Sequence, residues 1–281
     1  MSFRKLSAFF VALCLSLFLA VNASAFSILQ GWGIDLSVYG GDTYSNLLKG
    51  TVTGVSILNQ TVTGGLLQNN DPFVESTVLQ EITFTSLDDM TYPDGRLYFH
   101  AVNLSGYVTN VDNNNSSDPS DWDFNYVFTG ADSITLYYSA TSMSVNPDHF
   151  NPEGLTVVST FSLLSGSGVA PENFIGGGEN YTGSTSMTVK FETTDSDVWT
   201  TPSNVDFADL IETPGYPVLF FSITNTINDE NVSSTEDGFT ARIDHDGGFQ
   251  TALVPEPSTI LLLGAGLLGL GILGRRKMMS K

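Results

Sequence analysis

The sequence predicts an all-β fold, an antiparallel β-sandwich or jelly roll, flanked by an N-terminal signal peptide and a C-terminal single transmembrane helix. Three observations carry this reading. Apolar residues recur at every second position in short runs, as strands with one buried face require. Turn-forming clusters separate the runs, and 27 glycines with only 14% charged residues suit strands and turns better than helices. The long uninterrupted apolar stretches lie near the two ends of the 281 residues, outside the alternating region.

Residues 1–25 begin with a charged part, Arg4 and Lys5, and continue through an apolar stretch at 6–21. They close on the small residues Ala23-Ser24-Ala25, the layout of a secretory signal peptide that signal peptidase cuts after Ala25. The stretch is short for a bilayer span. Cys14, the one cysteine of the chain, falls inside it, so the exported part is expected to carry no thiol chemistry.

Residues 26–253 are expected to form one exported domain, since no charge run, Pro-rich linker or repeat divides them. Alternation marks strands at Trp32, Ile34, Leu36 and Val38; at Phe124, Tyr126 and Phe128; and at Ile134, Leu136 and Tyr138. It marks two more at Met187, Val189 and Phe191 and at Phe239, Ala241 and Ile243. Residues 218–223 are apolar on both faces and read as a central strand, and only residues 204–212 suit a short helix. Residues 112–120, Gly166-Ser167-Gly168 and Gly176-Gly177-Gly178 read as loops.

Charge narrows the partners. Six of the ten basic residues, Arg4, Lys5, Arg275, Arg276, Lys277 and Lys281, lie in the terminal segments. The domain keeps Lys49, Arg96, Lys190 and Arg242 against 29 acidic residues, a net charge of −25. Such a polyanion repels nucleic acid and anionic membrane surfaces and leaves divalent cations or matrix assembly as partners.

No local motif marks a catalytic centre, and the chain is not expected to be an enzyme. The three histidines have no catalytic setting: His100 lies in a strand-like run, His149 in a loop, and His245 between two aspartates. No cofactor is required by any motif. Ca²⁺ is the one ion that the composition suits, because it takes carboxylate and amide oxygens. Asp112, Asn114, Asp118, Asp121 and Asp123 make one oxygen-rich segment; Asp244 and Asp246, followed by Gly247-Gly248, resemble a fragment of an Asp-x-Asp loop. Neither has the full spacing of a helix–loop–helix calcium site, and solvated acidic turns explain both. Trp122 and Tyr126 alternate with polar residues and are candidate carbohydrate platforms, with the buried face of a strand as the competing assignment.

The tail has three parts in order. Pro255-Glu256-Pro257 holds an extended segment that can join neither helix nor sheet; residues 258–274 give 17 mostly apolar residues, about 25 Å as a helix; Arg275-Arg276-Lys277 form a basic stop. The basic stop favours the cytoplasm and the signal peptide sends the domain outward, so the two ends agree on topology. Residues 254–281 resemble the PEP-CTERM sorting signal of Gram-negative bacteria. That resemblance implies recognition of the tripeptide by exosortase, a membrane-embedded cysteine transpeptidase. It further implies transient anchoring in the inner membrane, removal of the tail, and release to the surface or medium.

It also implies a structural or adhesive role in exopolysaccharide matrix, biofilm or floc formation, with extracellular polysaccharide as a partner. Residues 133–138, 160–168 and the last strand are similar to flocculation-associated members. The alternatives are a carbohydrate- or calcium-binding module and, behind these, an exported hydrolase.

Overall fold

Period-two alternation decides which side of each strand meets the core, and the order of pairing then decides the architecture. The computed structural model describes residues 26–114, 116, 118, 121–141, 143, 150–175, 182–227, 231–235 and 237–254. The strands are β1 (Ser27–Ile28), β2 (Trp32–Asp35), β3 (Thr43–Thr61), β4 (Pro72–Ser86), β5 (Thr91–Asp94), β6 (Leu97–Asp112) and β7 (Asp123–Gly130). They continue as β8 (Ser133–Tyr138), β9 (Thr156–Ala170), β10 (Thr182–Thr194), β11 (Trp199–Thr200), β12 (Pro217–Thr226), β13 (Val232–Thr235) and β14 (Gly238–Leu253).

All pairings are antiparallel, and the sheet closes. The path β14, β12, β10, β9, β7, β6, β4, β3 returns to β14, because residues 238–249 pair with β3 while residues 244–253 pair with β12. Strands β7 and β8 share one place in this ring. Each lies between β6 and β9, β7 along residues 105–112 of β6 and β8 along residues 97–102. The result is an eight-stranded barrel with β1, β2, β5, β11 and β13 added outside or across one end.

The all-β class stands as the sequence predicts, but the sandwich or jelly roll does not: one closed sheet replaces two packed ones. Alternation is the same for both architectures. What separates them is the β3–β14 pairing, which joins the first long strand to the last and leaves no local mark. Apolar residues face inward, while β14 shows Thr240, Arg242, Asp244 and Asp246 on the other side. This is the reverse of the outward apolar band of a barrel that spans a membrane. Among the described residues no helix is long and apolar enough to cross a membrane; the expected transmembrane segment and residues 1–25 lie outside the described residues.

Eight strands enclose just enough room for side chains, and here aromatic rings fill it. At one end Trp32 stacks on Trp199 at 5.6 Å, Trp199 stacks on Phe207 at 6.1 Å, and Phe191 meets Trp199 edge-on at 5.3 Å. Phe207 opens the short helix α1 (Phe207–Leu210), which falls within the expected 204–212 and is capped by the Asp206 carboxylate on the Ala208 N–H at 2.9 Å. This end also holds β1 and the end of β14, so both ends of the described chain emerge side by side: Ser27 pairs with Leu253 and Ile28 with Ala252. The segment 62–71 and the strand ends at Asp112, Asp123, Ala170, Thr182, Thr226 and Gly238 lie at the opposite end.

Two further expectations change. The strand beginning at Trp32 stops at Asp35, whose carboxylate accepts the Ser37 N–H at 2.9 Å and turns the chain, leaving Val38 64% exposed. Gly166-Ser167-Gly168 is not a loop but the middle of β9, opposite Phe128 and Tyr126. The glycines make room for these rings: a Cβ on Gly168 would overlap the Tyr126 ring and the Ser184 carbonyl oxygen. Gly168→Ala is therefore expected to cost about 3 kcal/mol, the upper part of the overpacking range, as read by urea unfolding.

Candidate functional site: the barrel interior and the two ends

The inward phase of four strands carries polar groups where the alternation calls for apolar ones. On β4 the inward series is Phe73, Glu75, Thr77 and Leu79; on β14 it is Phe239, Ala241, Ile243 and His245. Asn225 on β12 pairs directly with His245, and Tyr126 enters from β7 between Phe124 and Phe128. All of these are buried.

They form one connected belt across the barrel. The Asn225 amide donates to Tyr126 Oη at 2.9 Å and to Thr185 Oγ1 at 2.7 Å. Its Oδ1 then accepts from His245 Nδ1 at 2.9 Å, which turns Nε2 toward Glu75 Oε1 at 3.5 Å, too long for a good hydrogen bond. Thr77 donates to Glu75 Oε1 at 2.9 Å.

Burial by itself would raise the Glu75 pKa. The facing His245 and the nearby hydroxyls of Ser56 and Thr77 overcome that and hold the carboxyl below its usual range. Burial pushes the Tyr126 phenol well above its usual value, so it stays protonated in the belt.

Small cavities flank the belt. One, of about 20 Å³, is bounded by Phe73, Phe124, Phe174 and Ile243; the other, of about 30 Å³, by Phe99, Phe128, Phe221 and Ile223. Each has room for a water molecule or two and for no sugar or drug-sized ligand. The belt therefore fixes pairing and register across the barrel: polar partners that must meet inside an apolar core penalise any slipped arrangement.

The residues singled out from the sequence fall elsewhere. Trp122 is 2% exposed, its ring 6.0 Å from Phe239 and its N–H on the Ser116 carbonyl; Tyr126 is in the belt. Neither presents a face to a sugar. Asp112 and Asp123 are cross-strand partners at the loop end; the Asn114 N–H donates to the Asp112 carboxylate at 3.2 Å and its side-chain amide to the Asp121 carbonyl at 3.1 Å. Asp118 is exposed in the same loop.

Asp244 and Asp246 are not in a loop. They sit on the outward side of β14 opposite Val55 and Thr53, because the alternation of Phe239, Ala241 and Ile243 continues through His245. Among the described residues no three acidic or histidine side chains converge as a metal site would require. His100 lies on the outside of β6 against Phe150 at 4.5 Å, and burial lowers its pKa. His149, Gly176-Gly177-Gly178, Ala23, Ala25, Pro255-Glu256-Pro257 and Arg275-Arg276-Lys277 lie outside the described residues.

At the other end of the barrel, the chain is fixed up to the point where the tail begins: Leu253 pairs with Pro217, and the Val254 N–H donates to the Tyr216 carbonyl at 3.1 Å. The family described as PEP-CTERM protein-sorting motif matches residues 253–277. The chain carries a PEP-CTERM sorting motif. The motif implies exosortase as the processing partner and export to the cell envelope or surface. Comparison with curated proteins and with solved structures gives no match. The PEP-CTERM match begins on the last residue of the closing strand, so barrel and sorting signal adjoin without a linker.

Proposed function

We propose that this exosortase substrate is a non-catalytic structural or adhesive component of an extracellular polysaccharide matrix, active in biofilm or floc formation. The observation that carries the proposal is the sorting motif at residues 253–277. The filled barrel supports it, because an interior with room for single waters leaves the outer surface and the loop end to make contacts. The path is export behind a cleaved signal peptide, transient anchoring in a Gram-negative inner membrane by residues 258–274, and release by exosortase. Deleting the gene in the producing bacterium is expected to reduce floc or biofilm mass, and complementation to restore it. Unchanged mass would overturn the proposed role.

Divalent cations act on this domain through charge. With a net charge of −25 and pairs such as Asp112 and Asp123 directly opposite, the fold carries like-charge repulsion that cations relieve. Millimolar Ca²⁺ and Mg²⁺ are expected to raise Tm by similar amounts. A rise confined to Ca²⁺ would instead point to a selective calcium site.

A further inference from the structure

The tripeptide starts one residue after the last fixed residue of the barrel. Val254 is still hydrogen-bonded to Tyr216, and Pro255 is the next residue, one peptide bond on. An enzyme that grips residues 255–257 has no linker in which to stand away from the barrel.

Exposed apolar side chains lie at this end, among them Phe26 (36%), Ile28 (50%), Leu87 (42%) and Met90 (54%). Phe26 and Ile28 belong to or adjoin β1, which pairs with the end of β14. Leu87 packs beside Gly31, and its N–H donates to the Asn46 carbonyl at 2.9 Å, holding the 86–90 turn against the start of β3. Asp88 and Asp89 stand between Leu87 and Met90 and give this patch an acidic rim. Apolar centre with charged rim is the composition of a protein-docking surface, and it lies where the processing partner implied by the motif must approach.

We infer that this end of the barrel, with Phe26, Ile28, Leu87 and Met90 around the exit of β14, is the surface against which exosortase docks while it processes the tripeptide. The inference rests on exosortase acting at the PEP-CTERM motif and adds the face of the barrel that it meets. Basic groups on the enzyme would complement Asp88 and Asp89.

The test follows conversion of full-length to processed chain in the producing bacterium. Ile28→Asp combined with Met90→Asp is expected to slow conversion at least fivefold, while Val74→Asp, on β4 nearer the loop end, leaves it unchanged. A ten-residue Gly/Ser segment inserted between Val254 and Pro255 lets the barrel stand off, so with it the Ile28→Asp/Met90→Asp pair should have no effect on the rate. Unchanged conversion at native spacing would overturn the docking surface. So would equal slowing with and without the inserted segment, which would place the effect in folding or export. Conversion of a chain with Pro255, Glu256 and Pro257 all changed to alanine at the native rate would instead remove the exosortase premise itself.

Discussion

Replacing Pro255, Glu256 and Pro257 with alanine is expected to leave only full-length chain, held at the membrane, with none in the medium or on the surface. Proline lacks the backbone N–H that a helix or ladder needs and disfavours helix at the residue before it, and Glu256 is the only charge in the tripeptide. Three alanines remove all of this and favour continuation of a helix. Because the barrel ends at Leu253, the change touches no residue of the sheet, and the domain is expected to keep its protease resistance. Immunoblotting of membrane, surface and medium fractions checks both parts.

Glu75→Ala is expected to be the most damaging single change in the interior, costing about 3–5 kcal/mol by urea unfolding. It leaves His245 buried opposite nothing, deprives the Thr77 hydroxyl of its acceptor, and opens a void between two existing cavities. Replacing both, Glu75→Leu with His245→Leu, is expected to recover only part of that loss, since it removes the unmatched buried His245 but still leaves Asn225 Oδ1 without its donor and the Thr77 hydroxyl without its acceptor.

The pH dependence has a definite sign. The Glu75 carboxyl is held below its usual value near 4.5, so its contribution is fully present above that value and is lost as the pH falls through the folded one. Glu75→Gln should therefore flatten the acid limb of a stability–pH curve while leaving a smaller loss at neutral pH.

Most strands could be read directly from the sequence, because a half-buried strand writes its burial into every second residue. Phe124, Tyr126 and Phe128, or Phe239, Ala241 and Ile243, are buried as their spacing requires. Closure was not legible: β3 meets β14 across nearly the whole chain, and no residue near Thr61 or Gly238 records which distant strand it will join. Glycine misled for a physical reason. A glycine in a turn and a glycine under an aromatic ring look alike in sequence, and Gly166 and Gly168 are of the second kind.

The polar belt did leave a signal, since Glu75 and His245 each occupy the apolar phase of a clear alternation. What could not be read was that they face one another, because that follows from the closed ring. The sorting signal was the most legible feature, being contiguous and independent of folding.

Intact mass of the protein recovered from the producer's surface or medium tests the central claim most directly. The expected product starts at Phe26, carries the whole barrel to at least Val254, and lacks the apolar stretch and basic residues through Lys281, with or without an added surface component. Recovery of chain still ending at Lys281 would contradict it.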